Sequence, residues 1–271
     1  MGVVAITGAT GALGSATATA LAANGASVLL LARSSYRLTG LRDRLRSTGA
    51  EVDALPVDLS AMASVREVAA RIAAEIDRLD ALIHTAAVFT REREETVDGF
   101  ETMLATNHLG PFLLTNLLKV RFDRGCRVIS VTAPSTTPVD LRKMMSPYQF
   151  KPLTAFGATK AANLMTTFEL SRRAQTRGIY ANAFHPGLVR SELMRGTPRP
   201  VRLLTWAISK PPQDAAGVLA GLATSPVYDG STGLFFTKAG PIDPPESSLG
   251  RGAQLALWEE SAKLVGLTAG F

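Results

Sequence analysis

The residues whose types and spacing first suggest chemistry are glycines near the N-terminus. A glycine-rich turn at residues 7–14 contains Gly8, Thr10, Gly11, Leu13 and Gly14. A turn without bulky side chains lets backbone N–H groups approach a pyrophosphate, and a helix that begins directly after the turn directs its positive end at the same charge. This turn therefore predicts a dinucleotide-binding site.

The segments around the turn support this prediction. An apolar run at residues 3–6 precedes it, an alanine-rich segment begins near Ala12, and a second apolar run follows at residues 27–32. This order predicts the strand, helix and strand of a dinucleotide-binding βαβ unit. A targeting or membrane-inserted N-terminus is the competing interpretation. It fails because glycines interrupt the run, no basic segment precedes it, and it falls short of the roughly 20 apolar residues that span a bilayer.

The end of the second predicted strand indicates which dinucleotide binds. An NAD site has Asp or Glu here to hold the ribose 2′-hydroxyl, whereas this chain has Ala32 and then Arg33, with Arg37 one helical turn later. A guanidinium holds a 2′-phosphate through charge-assisted hydrogen bonds. We therefore predict NADP(H) as the cofactor; a solvated arginine at a strand end is the alternative. Asp58 and Leu59 end the third predicted strand, where the Asp58 carboxylate can reach the adenine amino group.

The elements that must position these residues alternate along the chain. Further strands are predicted at residues 51–57, 79–84, 125–131, 180–184 and 234–236. Helices are predicted at about 36–49, through Val65, Val68, Ile72 and Ile76 behind a cap from Ser60 or Ser64, and at about 98–118, 155–177, 214–224 and 254–265, with a long polar loop at 132–154. This alternation predicts a single α/β domain over residues 1–271, with a Rossmann-type, doubly wound parallel sheet.

Composition narrows the class of protein. The chain has 271 residues, of which 46% are apolar, enough for one sizeable core. The single cysteine, Cys126, excludes a disulfide framework, no Cys/His cluster has metal-binding spacing, and a reducing cytoplasmic location is expected. The net charge of +6 is scattered, without an aromatic-basic stripe. We therefore expect a small-molecule substrate and no nucleic acid or membrane partner.

Six phrases of the sequence resemble the short-chain dehydrogenase/reductase family, and most of all its retinol-dehydrogenase-like branch. They are residues 7–14, 32–33, 58–59, 107–118, 160–163 and 185–193. The resemblance covers nearly the whole chain and implies the fold and the nicotinamide cofactor. It also implies cofactor contacts from Ala86, Pro186, Gly187, Val189 and Ser191. It further implies that helices at about 110–118 and 155–173 pair subunits into a homodimer or homotetramer.

The family's reaction uses Ser, Tyr, Lys and Asn, and this chain keeps part of that set. Lys160 matches the Lys that holds the nicotinamide ribose and lowers the pKa of the Tyr. Asn107 matches the Asn that holds a water molecule in the proton relay. Phe156 stands four residues before Lys160, on the same helix face, where the family has its proton-transferring Tyr. The resemblance therefore implies a cofactor site whose proton donor is missing.

The serine is missing as well. Ala133 aligns with the Ser that binds the substrate oxygen, although a shift of one or two residues would bring Thr132 or Ser135 into its place. Tyr148 and His84 are the candidate substitute acids; a packed tyrosine and a neutral histidine bonded to backbone are the structural alternatives. General acid catalysis contributes roughly 10²- to 10⁴-fold to a rate. The usual reaction between alcohol and ketone is therefore expected to be poor.

Three functions fit these residues. The first is hydride transfer from NADP(H) to an already activated acceptor (an iminium, quinone methide or enone) on a hydrophobic biosynthetic intermediate. The second is a non-redox cyclisation, dehydration or isomerisation with NADP(H) structural or absent. The third is a non-catalytic sensor of NADP(H). Arg33 favours the first and third over a cofactor-free form of the second.

Residues 188–212 predict a substrate lid. Arginines alternate there with apolar residues: Arg190, Leu193, Met194, Arg195, Arg199, Arg202, Leu203, Leu204 and Trp206. An apolar pocket with a cationic rim would fit a polycyclic, phenolic or carboxylated substrate, or one tethered through a phosphopantetheine arm. A solvated amphipathic loop is the alternative interpretation.

Overall fold

An eight-stranded sheet organises the described part of the chain, which comprises residues 2–146, 148, 150–193, 209–268 and 270–271 of a computed structural model. The strands are β1 (Val3–Thr7), β2 (Ser27–Ala32), β3 (Val52–Pro56), β4 (Leu79–His84), β5 (Phe122–Val131), β6 (Tyr180–Phe184), β7 (Phe235–Thr237) and β8 (Gly240–Ile242). They lie in the order β3-β2-β1-β4-β5-β6-β7-β8, and every pair is parallel except β7 with β8. The predicted Rossmann-type sheet is confirmed. The sequence did not predict β8, because Gly240 and Pro241 are typical of turns.

Helices cover both faces of this sheet. They are α1 (Ala12–Ala23), α2 (Ser35–Arg46), α3 (Met62–Glu75), α4 (Thr102–Leu104), α5 (Gly110–Leu118), α6 (Leu141–Met145), α7 (Pro152–Ala174), α8 (Pro212–Thr224) and α9 (Arg251–Leu264). One buried cluster joins the sheet to α1, α2 and α8, and another joins it to α3, α5, α7 and α9. Val4 and Ile6 belong to the first cluster and Ala5 to the second, because successive strand residues point to opposite faces. None of the helices within the described ranges is both long and apolar enough to cross a bilayer.

The predicted cap of α3 is wrong. Neither Ser60 nor Ser64 caps the helix; Asp98 Oδ2 accepts the Met62 N–H at 2.8 Å instead. Ser64 Oγ accepts the N–H of Asp58 at 3.0 Å. The helix therefore receives its cap from a residue 36 positions away, which local sequence rules cannot indicate.

The helix predicted from about residue 98 begins later and is not uniform. Both carboxylate oxygens of buried Glu101 accept backbone N–H groups, from Met103 at 2.8 Å and Leu104 at 2.7 Å, so that α4 begins only at residue 102. A π-helical turn, Ala105–Leu109, separates α4 from α5. Such turns are frequent at functional sites, and this one carries Asn107.

The two predicted loops also differ from expectation. Helix α6 lies inside the loop predicted at 132–154, and α7 begins at Pro152 because proline suits the first turn of a helix. Most of the predicted lid, namely Met194, Arg195, Arg199, Arg202, Leu203, Leu204 and Trp206, lies outside the described residues. The two flanks of that segment are joined: Lys210 donates its N–H to Leu188 at 2.8 Å, and Arg190 donates its N–H to Lys210 at 2.9 Å.

Candidate cofactor and active site

The glycine-rich turn between β1 and α1 is packed too closely for side chains. Gly8 has a φ of +68°, and a Cβ there would lie 2.6 Å from Ala86 Cα. A Cβ on Gly14 would lie 2.3 Å from the Gly8 carbonyl oxygen, which also accepts the N–H of Gly11 at 2.9 Å. No side chain caps α1, so the N–H groups of its first turn have no capping partner. The turn therefore fits a pyrophosphate laid against bare backbone.

A groove of about 290 Å³ lies between the end of β3 and α3. Its lining residues are Arg33, Pro56, Val57, Asp58, Ser64, Glu67, Val68 and Arg71. Asp58 Oδ1 accepts both the N–H and the hydroxyl of Ser60, at 2.9 and 2.6 Å, which fixes the carboxylate. Leu59 is buried, with Gly110 packed against its carbonyl oxygen. The exposed guanidinium of Arg33 at one wall suits an adenosine that carries a 2′-phosphate.

Lys160 lies buried on α7 and is only 7% exposed. Its Nζ stands 5.2 Å from the centroid of the Phe156 ring, a cation–π contact. Phe89 packs against the same ring edge-to-face, with centroids 5.7 Å apart. Burial lowers the pKa of Lys160 to about 8. The position at which the family has its proton-transferring Tyr therefore holds an apolar ring, which contacts both Lys160 and Phe89.

Asn107 joins the loop after β4 to α7. Its Oδ1 accepts the N–H of Val88 at 2.7 Å, and its Nδ2 donates to the Val88 carbonyl at 3.0 Å and to Thr159 Oγ1 at 3.3 Å. Its main-chain carbonyl accepts Nδ2 of Asn163 at 2.8 Å. The π-helical turn thus places this residue where it fixes the spacing of two segments that flank the site.

His84 ends β4, and its ring is directed at α5. The Thr115 hydroxyl donates to the Pro111 carbonyl, so it accepts from His84 Nε2 at 2.8 Å; Nδ1 then accepts from Thr7 Oγ1 at 3.4 Å. Desolvation lowers the pKa of His84 to about 3. This geometry favours a neutral, structural histidine over a proton donor. The hydrogen-bond partners of the ring are hydroxyl groups, whereas the structural alternative expected backbone groups.

Tyr148 is 80% exposed, and its N–H donates to Ser146 Oγ at 3.3 Å. Such an exposed side chain is not held against Lys160. Of the two residues that could replace the serine, Thr132 already uses its hydroxyl proton in a hydrogen bond to the Lys160 carbonyl at 2.7 Å. Ser135 is only partly buried and lies beside α7.

Sequence reasoning missed Thr137 and Gly157 at this site. Ser135 Oγ donates to Thr137 Oγ1 at 3.1 Å, and a Cβ on Gly157 would lie only 2.5 Å from Thr137 Oγ1 and 3.2 Å from Ser135 Oγ. The hydroxyl pair thus packs on α7 directly beside Phe156. A glycine inside a helix costs about 1 kcal/mol relative to alanine, so Gly157 was the signal that a close contact required it.

The segment after β6 carries four of the residues for which the family resemblance implies cofactor contacts. Gly187 has a φ of +76°, and Val189 forms a bridge with Lys210. Ser191 Oγ accepts the Leu193 N–H at 3.4 Å. Pro186 follows His185, whose Nδ1 lies 3.4 Å from the Thr132 carbonyl and ties this segment to the end of β5. The cofactor contacts implied for these residues stay predictions. Across the described ranges, no three His, Cys, Asp or Glu side chains are grouped to hold a metal ion.

A largely parallel sheet with a glycine-rich turn directly after its first strand defines a fold of the Rossmann type. The sequence profile described as short chain dehydrogenase matches residues 2–200, and the chain belongs to this family. The predicted family is therefore confirmed. Its members are oxidoreductases that bind nicotinamide cofactors.

Three known proteins show how far this likeness extends. Human retinol dehydrogenase 13 is 33% identical over 283 residues, which cover 98% of this chain and 85% of that protein. The Streptomyces sp. (strain C5) protein named "Putative daunorubicin C-13 ketoreductase DnrU" is 33% identical over 274 residues, with 98% and 93% coverage. The crystal structure of an uncharacterized Mycobacterium paratuberculosis protein superposes with a TM-score of 0.82 at 28% identity and covers 100% of this chain and 96% of that one.

Proposed function

We propose that this chain binds NADP(H) and reduces a hydrophobic small molecule whose acceptor carbon is already activated. The observation that carries this proposal is the pairing of Phe156 with Lys160, which leaves a buried cation and no phenol where the family transfers a proton. An acceptor activated by conjugation or by its own charge needs little help from a general acid. The ammonium of Lys160 favours acceptors that gain negative charge, such as an enone or a quinone methide, over a cationic iminium.

The cofactor, when bound, supplies a hydride from its nicotinamide ring. In this proposal the first turn of α1 holds the pyrophosphate, Arg33 and Arg37 face the 2′-phosphate, and Asp58 faces the adenine. Lys160 holds the nicotinamide ribose. The residues fit the group because Gly8 and Gly14 leave no side chain over the turn.

The substrate class follows from the walls of the site and from the relatives. Phe89 and Phe156 form an apolar wall, and the large apolar side chains of Leu153 and Leu188 are exposed in the segments that flank it. One relative is named for retinol and the other for a ketone of daunorubicin, and both names describe hydrophobic molecules. We therefore propose a polycyclic or similarly apolar intermediate of biosynthesis.

The test is a binding titration of NADPH and, in parallel, of NADH. Wild-type protein is expected to prefer NADPH, and Arg33→Ala to weaken NADPH binding about 10- to 100-fold, because one charge-assisted contact contributes about 1.5–3 kcal/mol. NADH binding stays unchanged in this variant. Arg44→Ala, an exposed arginine on α2, is the matched control. Equal affinities for the two cofactors and no effect of Arg33→Ala would contradict the proposal.

A non-redox reaction is the second candidate. The replacement of the family's proton-transferring Tyr by Phe156 and of its oxygen-binding Ser by Ala133 favours it. One measurement, NADPH absorbance during substrate conversion, distinguishes the non-redox reaction from hydride transfer. A substrate converted to product without any loss of NADPH absorbance would establish the non-redox reaction and exclude hydride transfer.

A further inference from the structure

We propose that the Ser135–Thr137 hydroxyl pair binds the reacting oxygen of the substrate, in place of the serine that Ala133 lacks. This inference rests on the proposed function and narrows it, because it requires an acceptor with an oxygen conjugated to the carbon that is reduced. An enone, a quinone methide or a quinone satisfies this requirement, and an iminium does not.

The hydrogen bonds of the pair leave one hydroxyl donor unused among the described residues. Ser135 Oγ accepts the Thr137 N–H at 3.3 Å, and its own hydroxyl donates a hydrogen bond to Thr137 Oγ1 at 3.1 Å. The Ser135 N–H is taken by the Ala133 carbonyl at 2.8 Å. The Thr137 hydroxyl proton has no acceptor within the described ranges, and the bond from Ser135 polarises it, so it is ready to donate to a ligand.

Gly157 is the reason that this donor can stand at the active site. A side chain there would collide with Thr137 Oγ1, so only glycine lets the pair approach the helix. Gly157 follows Phe156 directly and lies three residues before Lys160, within one turn of the helix. The hydroxyl pair therefore packs on the turn of α7 that carries both Phe156 and Lys160.

The segment that carries the pair has restricted backbone freedom. Pro134 and Pro138 flank it and fix their own φ angles near −65°. Thr132, just before them, is bonded to the Lys160 carbonyl at 2.7 Å, which ties this segment to α7. Ser135 and Thr137 are partly buried, so a ligand can reach them while part of the water is excluded. Preorganised donors of this kind need no rearrangement when charge develops.

The charges suit the same assignment. As a hydride reaches the conjugated carbon, the π-electron pair moves to the oxygen, which becomes negative. The Thr137 hydroxyl donates to this oxygen, and the buried ammonium of Lys160 stabilises its charge. A proton from water completes the reduced product. NADPH is oxidised to NADP⁺, and the acceptor gains two electrons.

The test compares three variants on two probes. Thr137→Val and Ser135→Ala remove the hydroxyls, and Gly157→Ala displaces them. Thr136→Val is the control for an exposed neighbour, and Gly217→Ala is the control for a helical glycine that has open space around it. The probes are 9,10-phenanthrenequinone, which has the oxygen, and N-methyl-3,4-dihydroisoquinolinium, which does not.

Two quantities are measured for each protein: calorimetric binding of the quinone to the NADP⁺ complex, and the single-turnover rate of NADPH oxidation by each probe. We expect Thr137→Val and Gly157→Ala to lower the quinone rate about 100-fold, the usual cost of one oxyanion donor, and to weaken quinone binding. Ser135→Ala should have a smaller effect in the same direction. Affinity for NADP⁺, the iminium rate and both controls should stay at the wild-type level.

The outcomes separate this inference from the proposed function. Wild-type quinone binding and rate in both Thr137→Val and Gly157→Ala would overturn the inference, as would an equal loss on the iminium or no quinone binding by the wild type. A wild-type protein that binds NADP⁺ and the quinone but reduces neither probe would contradict hydride transfer alone. In that case the role of the hydroxyl pair is decided by whether Thr137→Val and Gly157→Ala weaken quinone binding.

Discussion

Position 156 is where a single side chain separates this chain from the usual chemistry of its family. Phe156 places a ring over Lys160 Nζ, and Phe89 supports that ring edge-to-face. A tyrosine in the same ring position would carry a hydroxyl whose pKa the neighbouring ammonium lowers. The residues around Phe156 thus retain part of the environment that the missing acid needs.

Phe156→Tyr is therefore expected to create reduction of a simple ketone such as cyclohexanone. The rate should rise about 10²- to 10⁴-fold over wild type, which is the usual contribution of a general acid. The measurement is NADPH oxidation at matched cofactor saturation. Phe89→Tyr adds the same hydroxyl to the supporting ring and is the control, with no gain expected. No gain in Phe156→Tyr would show that the pocket itself has diverged.

Two buried histidines make the stability of the protein depend on pH. His108 Nδ1 donates to Asn163 Oδ1 at 3.0 Å, and its Nε2 accepts from Ser261 Oγ at 2.9 Å, so this ring is neutral like that of His84. Burial lowers the pKa of His108 to about 4 and that of His84 to about 3, from 6.5 in the unfolded chain. Below pH 6.5 the unfolded chain binds protons that the folded chain does not bind.

The free energy of unfolding should therefore be highest above pH 6.5 and should decrease as the pH falls towards 4. Each histidine contributes a slope of up to about 1.4 kcal/mol per pH unit. Denaturant midpoints at pH 7.5, 6 and 5 measure this slope for wild type, His84→Asn and His108→Asn. Both variants should start less stable and lose less on acidification. An identical slope in all three proteins would refute the assignment.

At the scale of elements, α9 packs on one face of the fold and is connected by hydrogen bonds to Asn107 at the candidate active site. Trp258 is 2% exposed and packs edge-to-face on Phe112 of α5, with centroids 4.8 Å apart. Ser261 starts a hydrogen-bonded chain through His108 and Asn163 to the main-chain carbonyl of Asn107. The helix therefore stabilises both the packing of α5 and α7 and the position of a predicted catalytic residue.

Removal of the central side chain of α9 should be costly. Trp258→Ala is expected to lower the free energy of unfolding by about 3–5 kcal/mol, because it leaves a cavity against α5. Leu255→Ala, a more exposed position on the same helix, should cost less than about 1 kcal/mol. Chemical denaturation measures both. Equal, small losses in the two variants would show that α9 is only loosely docked.

At the scale of the whole molecule, the surface expected to pair two subunits is already covered. Every residue of α5 except Leu117 is buried, and no residue of α7 from 155 to 174 is exposed. The two helices are enclosed by the sheet, α3 and α9. A dimer through these helices, as the family resemblance implies, would require α9 to move away.

We therefore expect that the chain does not pair through α5 and α7. Hydrogen exchange should show α9 protected, whatever multiple of the 28.7 kDa chain mass light scattering gives. Trp258→Ala, which weakens the cover, is the variant most prone to associate. A wild-type dimer with rapid exchange in α9 and slow exchange in α5 and α7 would contradict this expectation.

The sequence by itself determined the features that depend on local spacing. Strand and helix periods predicted the alternating sheet, and the glycine turn before α1 predicted the dinucleotide site. The spacing of Phe156 and Lys160 placed both residues on one helix face, because residues four apart in a helix are neighbours. These signals are readable because each lies within one or two turns of chain.

Only the tertiary structure decided which partners those faces meet. Asp98 caps α3 from a distant segment, the Thr115 hydroxyl accepts a hydrogen bond from the ring of His84, and α9 covers α5 and α7. Gly157 shows the same limit at the active site, since the need for glycine there comes from two hydroxyl groups, Ser135 and Thr137, that lie in a separate segment before α7. Periodicity defines which side of an element is buried, whereas packing between elements distant in the chain defines what is buried against it.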